Sequence, residues 1–444
     1  MRVCIQTDWD TVSILKLMRS GDEYVMSERQ GLILPKKQLA VNNALTQVLD
    51  FCSQSNLEVK IFQHDNKYGV TSCLLFENGR CDHEYSGAGK GINREESILD
   101  SLLCSLKVYF LKNYMKYLNM EIANTAKCMV SDIIDDIPFN LLDKKADLAV
   151  LRYMSTRDED AVNLPLALSC PFYVTRNFRG ALKYDTCDYT FFNKYISPNG
   201  LSVQFSSDEA IIQSIFENIA DRSLGDFLVN VIGLNQFEHC KILDKKTIPS
   251  FIVKMVAYAE AETGREIILI DLTNEIGIPV FMSYINSSNR IERQFSLGCS
   301  LSSVEALQNS VLGILQLKIY SDNNDFNFDL IVKENNKYMS YFEKDNYYNR
   351  FSFLRIGEYI NNIRKFHEFR ETDETFVSVE RKKECLLEKL GNKNLKFYYT
   401  SFLNNSEVEI SCIHGVILPY SYTHLLSKSI KITLTLKDIK LLDA

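Results

Sequence analysis

From residue 197 to residue 224 the chain reads SPNGLSVQFSSDEAIIQSIFENIADRSL. The Pro-Asn-Gly triplet at its start marks a turn. Apolar and polar residues then alternate from Leu201 to Phe205, which predicts a short half-buried strand. Ser206 stands three residues before Glu209, and this is the spacing of a capping box at the start of a helix.

The predicted helix extends from this cap to about Leu228. Its apolar residues recur at helical spacing from Ile211 onward. Glu217 and Asp221 are four residues apart, so both carboxylates lie on one face of the helix. The segment therefore supplies a turn, a strand and a helix that carries paired acids.

The same pattern of a glycine-bearing segment and a capped helix occurs twice more. One helix is predicted from Asn93 to about Leu118, after the glycines of residues 86–91. Another is predicted from Ser302 to about Ile319. The spacing between the three caps is irregular, which argues against a solenoid. Either the three helices converge on one pocket, or they are ordinary amphipathic core helices.

Composition excludes several classes of protein. The chain has 444 residues, 46% of them hydrophobic, with only 18 Gly and 8 Pro, so we expect a folded α+β protein without long linkers. A net charge of −7 does not favour nucleic-acid binding, which needs a basic face. No run of about 18 apolar residues predicts a membrane span.

The 12 cysteines are scattered and show no zinc-ligand spacing, so we expect free thiols in a reducing compartment. No signal-peptide pattern is present, and the predicted location is cytoplasmic. Residues 1–60 are interpreted as an N-terminal preface. Residues 61–444 are interpreted as one integrated unit, because no break in composition divides them.

Further elements are predicted along the chain. Those of the first part are a short helix around Leu15–Met18, an amphipathic helix at 41–51 and a hairpin at 57–85. Those of the second part are buried strands at 266–272 and 278–284, helices at 356–369 and 378–390, and strands at 396–400 and 407–414. Residues 321–350, rich in Asn, Asp and Tyr, are predicted to form a loop. The acids Asp132, Asp135 and Asp136 are interpreted as a solvated surface.

Five motifs, in this order, resemble those of the YcaO superfamily. They are Gly89-Lys90-Gly91, the Ser-Pro-Asn-Gly-Leu segment with Glu209-Ala210, the strand Ile278–Phe281, Glu305-Ala306-Leu307 with Gln316, and the closing segment Val408–Pro419. The resemblance spans about residues 20–420. It implies a single large YcaO-like α+β fold in which the capped helices converge on a nucleotide-type pocket.

The resemblance also implies an activity and partners. YcaO proteins bind ATP and Mg²⁺, and active members phosphorylate a backbone amide oxygen of a peptide, which makes that oxygen a good leaving group. In peptide natural-product pathways they form azolines. The implied partners are a precursor peptide, a leader-peptide-binding ThiF-like protein, and a flavin dehydrogenase or an active YcaO paralogue. The implied assembly is a homodimer or a hetero-complex.

By the same resemblance, five residues are candidates for a nucleotide site. They are Lys90, Ser101, Glu217, Asp221 and Gln316. Carboxylates are the usual protein ligands of Mg²⁺, so Glu217 and Asp221 are also the metal candidates.

Most of the family's acidic positions are occupied by other residues in this chain. The positions without an acid are Ser105, Val108, Ala220 and Gly313. Lys107 adds a positive charge where a metal is expected. Three hypotheses follow: a scaffold or substrate-positioning component with a degenerate site, an active ATP-dependent cyclodehydratase with an unusual ligand set, and a binding or assembly protein unrelated to peptide modification.

Overall fold

A computed structural model describes most of the chain. The described residues are 35–65, 67–77, 84–117, 121–124, 146–170, 173, 184–189, 198–227, 230–231, 236–286, 295–322, 366–372, 378–405 and 410–419.

Helices and strands alternate irregularly along these residues, as in an α+β fold. The longer helices are α1 (Pro35–Gln54), α2 (Arg94–Lys112), α3 (Ser207–Phe227), α4 (Ser250–Thr263), α5 (Ser303–Asp322) and α6 (Val379–Gly391). Short helical turns lie at Tyr114–Tyr117, Leu166–Ser169, Phe237–His239 and Lys245–Thr247. The first strands are β1 (Leu57–Asp65), β2 (Val70–Glu77), β3 (Glu84–Lys90), β4 (Glu121–Asn124), β5 (Asp147–Ser155), β6 (Ala161–Pro165) and β7 (Leu201–Gln204). The remaining ones are β8 (Lys241–Leu243), β9 (Glu266–Asp271), β10 (Val280–Asn286), β11 (Phe295–Cys299), β12 (Phe366–His367), β13 (Lys396–Asn405) and β14 (Ile410–Leu418).

The described strands form three sheets. The first is the meander β1-β2-β3, and the second has the order β11-β10-β9-β8-β12. The third has the order β4-β5-β13-β14-β7, with β6 also paired to β5. The described pairings are antiparallel except for β12 with β8.

Helix α3 lies between the two larger sheets. Along β9, alternate side chains point to opposite faces. Ile268 and Ile270 pack in one core with Ile215 and Ile219 of α3. Ile267 and Leu269 pack on the other face, in the core of α4 and α5. Because Ile413 and Ile417 of β14 belong to the α3 core, this helix contacts both sheets.

Helix α2 packs on the β1-β2-β3 meander through small residues. An added Cβ at Gly87 would lie 2.3 Å from the Ser105 backbone nitrogen, and one at Gly89 would lie 2.2 Å from that of Ser101. The Ser105 hydroxyl donates to the Cys73 carbonyl at 2.9 Å. We name this contact between Gly87, Gly89 and the helix face of Ser97, Ser101 and Ser105 the glycine seam. Backbone meets backbone there, so β3 is held directly against α2.

Most of the elements predicted from sequence are confirmed. All three capped helices, the amphipathic helix, both strands of the hairpin, the strands at 266–272 and 278–284, the helix at 378–390 and the closing strands are present. Residues 84–90, of which the last two belong to the predicted Gly-Lys-Gly turn, form strand β3. The prediction of a helix up to residue 369 is wrong at its end, because residues 366–367 pair with β8.

Other predictions lie outside the described residues. They concern the short helix at Leu15–Met18, most of the helix at 356–369, the loop beyond residue 322 and the acids at 132, 135 and 136. Helix α1 packs in the same hydrophobic core as α2, through Leu45, Val48 and Leu49. In the part of the chain that the structure describes, no helix is both long and apolar enough to cross a bilayer.

Candidate functional site

The Asn199-Gly200 turn is fixed by side chains of α3. Gly200 has a φ of +88°, a conformation that favours glycine. Its carbonyl accepts a hydrogen bond from the Ser214 hydroxyl at 2.7 Å. Its N–H donates to Glu217 Oε2 at 3.1 Å. The turn and the helix that follows it are therefore parts of one hydrogen-bonded unit.

The same unit is attached to strand β14. The Asn218 side-chain amide donates to the carbonyls of Ser214 and Gly415, at 2.8 and 3.0 Å. The Gly415 N–H donates to the Gly200 carbonyl at 3.0 Å. The position of Glu217 is thus fixed by a turn, a helix and a strand.

The caps predicted from sequence start each helix at the expected residue. The Ser206 hydroxyl accepts the Glu209 N–H at 3.2 Å. The Asn93 side chain accepts the Glu96 N–H at 2.9 Å. The Ser302 hydroxyl accepts the Glu305 N–H at 3.4 Å. These bonds fix the residue at which each of the three helices begins.

The central contact is an ion pair between helices α2 and α3. Lys107 Nζ lies 2.5 Å from Glu217 Oε1, and about a quarter of each side chain is exposed, 24% and 26%. The second oxygen of Glu217 already accepts the Gly200 N–H. Both carboxylate oxygens of the best metal candidate therefore have partners within the protein.

Asp100 is a member of this cluster that the sequence reading missed. It lies seven residues before Lys107, on the same face of α2. Its carboxylate accepts the Lys90 N–H at 3.0 Å. Burial raises the pKa of Asp100, while its hydrogen bond from Lys90 and the charges of Lys90 and Lys107 oppose that rise. We name the set Lys90, Asp100, Cys104, Lys107 and Glu217 the charged cluster.

The two lysines of the charged cluster have opposite pKa shifts. Burial lowers the pKa of Lys90, and the nearby Asp100 carboxylate opposes this. Burial also acts to lower the pKa of Lys107, but Glu217, Cys104 and Asp100 more than offset it, so that the pKa is raised. Burial raises the pKa of the Cys104 thiol to about 12. Lys107 is therefore charged at neutral pH, and Cys104 is a neutral thiol.

Lys90 reaches helix α5. Its ammonium donates to the Asn309 carbonyl at 3.0 Å. A Cβ added to Gly313 would lie 3.1 Å from Lys90 Nζ and 1.8 Å from Ser296 Oγ. At this position, where the family resemblance implies a glutamate, an added side chain would collide with that of Ser296.

Asp221 lies one turn beyond Glu217 and binds the turn at 199–200. Its carboxylate accepts a hydrogen bond from the Asn199 side-chain amide. Burial raises the pKa of Asp221 to about 7, with a further contribution from Glu217 and an opposing one from Asn199. Since a carboxyl group binds a cation in its ionised form, this burial weakens Asp221 as a metal ligand near neutral pH.

The two other candidates lie beside β3. The Gln316 side-chain amide donates to the Ala88 carbonyl at 2.5 Å, which holds α5 against the edge of the meander. The Ser101 hydroxyl donates to the Ile98 carbonyl of its own helix at 2.8 Å. Ser101 belongs to the glycine seam, so its side chain does not meet Glu217.

A further buried polar pair lies on the opposite face of β14. His414 Nδ1 is 2.9 Å from the Tyr153 hydroxyl. Burial lowers the pKa of His414 to about 4, so the imidazole is neutral at neutral pH. The contribution of His414 to stability therefore depends on pH with the opposite sign to the contribution of Asp221.

The residues present do not fit a pair of magnesium ions. Mg²⁺ requires near-octahedral oxygen ligation, commonly from carboxylates and phosphates. Within the described residues, no group of three or more His, Cys, Asp or Glu side chains is arranged to hold a metal ion. Glu217 is occupied by Lys107 and Gly200, and Asp221 is bound by Asn199. The donors are engaged with one another instead of facing an ion.

A family model described as YcaO cyclodehydratase, ATP- and Mg²⁺-binding, matches residues 116–419 of the chain. No curated protein sequence matches the chain.

Solved structures show the likeness in fold. YcaO from Methanopyrus kandleri, bound with AMPPCP and Mg²⁺, superposes with a TM-score of 0.60 at 14% identity, over 92% of this chain and 97% of that one. A heterocyclase in complex with substrate and cofactor gives 0.57 at 13% identity, over 85% and 52%. This chain therefore spans about half the length of that heterocyclase. The E. coli microcin synthetase McbBCD complex with pro-MccB17 bound gives 0.50 at 15% identity, over 82% and 87%.

Proposed function

Since this chain belongs to the YcaO family, we propose that it is a component of a synthetase that modifies ribosomally made peptides, with a degenerate ATP site. Its role is to act as a scaffold or to position the precursor peptide. Two neighbours in fold support the peptide chemistry, because one is a heterocyclase bound to its substrate and the other a microcin synthetase bound to pro-MccB17. The proposed site of action is a cytoplasmic complex.

The observation that carries the proposal is the ion pair between Lys107 and Glu217. Phosphoryl transfer depends on positioning and on neutralising phosphate charge, mostly through metal ions. Here the ammonium of Lys107 takes the carboxylate that an ion requires. The phosphate oxygens of a nucleotide would have to compete with Glu217 for Lys107. The arrangement therefore favours the ion pair over a bound phosphate.

The chain's own residues keep the junction of the three helices assembled. Glu217 joins α3 to α2 through Lys107, and Lys90 joins β3 to α5 through Asn309. We propose that this preformed junction supports a surface for the precursor peptide or for a partner subunit. The proposed partners are a leader-peptide-binding ThiF-like protein and an active YcaO paralogue or a flavin dehydrogenase, with the chain as a homodimer or in a hetero-complex.

The alternative function is an active ATP-dependent cyclodehydratase. The description of the matching family model, ATP- and Mg²⁺-binding, favours it. In that case Glu217 and Asp221 would hold the one ion that their two carboxylates allow, and Lys90 and Gln316 would contact the nucleotide. A third function, assembly unrelated to peptide modification, predicts that no peptide-modifying partner co-purifies with the chain.

A phosphate-release assay tests the proposal. The full chain is combined with a Cys-, Ser- and Thr-rich candidate precursor and with the ThiF-like partner, and the wild type is compared with Glu217→Ala. Any active YcaO paralogue is left out, because it would release phosphate itself. We expect both proteins to release phosphate at the background rate. An active YcaO enzyme with its own peptide is the positive control.

Turnover by the wild type at roughly 1 s⁻¹ or more, abolished by Glu217→Ala, would show instead that the chain is an active cyclodehydratase. Titration calorimetry with AMPPCP and Mg²⁺ provides a measurement that does not depend on knowing the peptide. We expect no binding heat from the wild type.

A further inference from the structure

Strand β1 forms an open edge of the β1-β2-β3 meander. It pairs with β2 in regular register from Leu57 to Gln63, and the register shifts between Gln63 and Asp65. Within the residues that the structure describes, no strand pairs with the other side of β1. An edge strand presents a row of backbone N–H and C=O groups without strand partners. Residues 57–63 therefore offer a regular backbone to an added strand.

Helix α1 covers the inner face of this edge. Leu57, Val59 and Ile61 are buried although they belong to an edge strand, and they lie in one core with Leu45 and Val48 of α1. Neighbouring strands lie about 4.8 Å apart, whereas packed helices need about 8–10 Å. A second copy of this chain that paired through β1 would bring its own α1 too close to this one. A single extended segment brings no helix and fits beside the edge.

The outer face of the edge carries one acid and one base. Glu58 and Lys60 lie 3.7 Å apart, and 53% and 51% of their side chains are exposed. The Lys60 ammonium also lies 4.9 Å from the centre of the Phe76 ring on β2. Residues directly opposite each other on neighbouring strands share a face and interact through their side chains. An added antiparallel strand therefore fits best when its acid is opposite Lys60 and its base is opposite Glu58.

One end of the edge is level with the charged cluster. Asp65 of β1 pairs with Val70 of β2, and Val70 pairs with Lys90 of β3. A strand added to β1 would lie three strand spacings, or about 14 Å, from β3. A peptide held on this edge is thus kept close to the junction of the three helices.

We propose that the β1 edge docks an extended segment of the precursor peptide, which adds to the meander as a fourth strand antiparallel to β1. The identity of this partner rests on the proposed function, whereas the open edge does not. A polypeptide backbone is the ligand whose donors and acceptors match those of an edge strand, and alternate side chains supply the specificity. The segment has apolar side chains towards α1, with an acid and a base two residues apart on the outer face.

Hydrogen–deuterium exchange of the full chain with a synthetic probe locates the site. The probe is the capped heptapeptide Thr-Val-Glu-Val-Lys-Val-Thr, which in antiparallel register puts its Glu opposite Lys60 and its Lys opposite Glu58. We expect it to slow exchange over residues 57–63 and to leave residues 266–271, which form β9 within the second sheet, unchanged. A probe that does not bind, or that protects other residues only, overturns the proposal.

Two N-methylated probes test whether the peptide backbone is bound. Alternate N–H groups of an added strand point towards the edge, and the others point away from it. One probe is methylated on the three Val nitrogens, the other on the Glu and Lys nitrogens. We expect one of them to lose affinity at least about tenfold and the other to stay within about twofold. Equal effects of the two methylations overturn the proposal.

A chain with exchanged charges is the matched control. Glu58→Lys combined with Lys60→Glu keeps the composition of the strand. The wild type should prefer the first probe over Thr-Val-Lys-Val-Glu-Val-Thr by about fivefold, and the exchanged chain should show the reverse preference. A preference that the exchange does not reverse, or a wild type that prefers the second probe, overturns the proposal.

Two further outcomes separate this proposal from others. Protection of residues 57–63 that grows with protein concentration, without any probe, would show that a second copy of the chain occupies the edge, and this overturns the proposal. Failure to bind the probe together with background phosphate release counts against the docking site alone. Turnover of ATP by a chain that does bind the probe counts against the proposed function alone.

Discussion

The two neighbouring faces of helix α2 serve different purposes. One face, formed by Ser97, Ser101 and Ser105, meets Gly87 and Gly89 at backbone distance and contains no charge. The other face carries Asp100, Cys104 and Lys107, and Lys107 pairs with Glu217 of α3. The first face determines how closely the helix approaches the meander, and the second determines the electrostatics of the site. Asp100 and Ser101 are adjacent in the sequence, yet the first lies on the charged face and the second on the packing face.

The largest expected effect is on the glycine seam. Gly89→Ala would place a Cβ 2.1 Å from the Ser97 carbonyl oxygen and 2.2 Å from the Ser101 nitrogen. These are backbone atoms, so the helix itself must move, and we expect the free energy of unfolding to fall by about 3 kcal/mol. Urea unfolding followed by circular dichroism measures this change.

Gly264→Ala is the matched control for Gly89→Ala. Gly264 ends α4 with a φ of +65°, and a Cβ there meets nothing within 4 Å. We expect only the conformational cost of a left-handed alanine, about 1 kcal/mol. Equal losses at the two positions would show that the seam has no special steric role.

The next largest effect is on the charged face. Lys107→Met leaves Glu217 without its cation. Breaking a buried ion pair costs about 3–5 kcal/mol, and because about a quarter of each side chain is exposed here, we expect a loss of about 2 kcal/mol. Adding Glu217→Gln should recover most of it, since no unpaired charge then remains. Urea unfolding of the four proteins of this double-mutant cycle gives the coupling energy.

Lys396→Met is the control on the surface. Lys396 pairs with Asp158 and Asp160 at 3.0 and 2.8 Å, but about half of its side chain is exposed. Because exposed pairs contribute little to stability, the unfolding transition should hardly move. A loss as large as that of Lys107→Met would mean that the charged cluster is no more than another solvated pair.

A smaller effect is expected from pH. The pKa of Asp221 is raised to about 7 in the folded protein, against about 3.9 for an unperturbed aspartate. The folded state therefore binds the proton more readily, so this residue adds stability as pH falls from 7 towards 4 and removes it as pH rises through 7. We expect Asp221→Asn to abolish this gain, by at most about 1 kcal/mol between pH 7 and pH 6.

Unfolding of wild type and Asp221→Asn at both pH values measures that gain. His414 contributes with the opposite sign, because its folded pKa of about 4 lies below the ordinary value, and stability from it is lost as pH falls from 6.5 towards 4. This contribution is common to both proteins and cancels in their difference. Identical pH profiles for the two proteins would contradict the prediction.

The smallest effect is expected at Ser101. Its hydroxyl donates only to the Ile98 carbonyl in its own helix, and alanine keeps the Cβ that faces the seam. Ser101→Ala should change the free energy of unfolding by no more than about 0.5 kcal/mol. Urea unfolding measures this change, and a loss as large as that of Gly89→Ala would contradict the prediction.

Sequence reasoning predicted the fold better than the site. The caps at Asn93, Ser206 and Ser302 depend on local spacing, so they were predicted from neighbouring residues and are confirmed. The sequence predicts residues 366–367 as the end of a helix. In the structure they pair in parallel with β8, and no local pattern indicates this because the two strands are far apart in the sequence. The family resemblance supplied the architecture, which the match over residues 116–419 confirms.

The site depends on contacts between distant residues that no local pattern records. Lys107 was noted as a charge near an expected metal, but its partner Glu217 lies 110 residues further along the chain. Asp100 was missed, because the acidic motif was read on the face of Ser101 and Ser105. Its only sequence signal was its spacing of seven residues from Lys107, and this gained meaning once α3 was known to lie beside it.

The glycine seam has a consequence for how relatives of this chain diverge. A side chain at Gly87, Gly89 or Gly91 collides with α2 whether or not the protein binds a nucleotide. A substitution at these glycines is therefore expected to destabilise the fold whether or not the acidic positions are kept. Profiles weighted on the spacing of these glycines and the Ser97, Ser101 and Ser105 stripe should retrieve distant homologues that searches based on the acids pass over. Part of the Gly-Lys-Gly signature is then a record of shared ancestry and packing, and it does not by itself indicate retained catalysis.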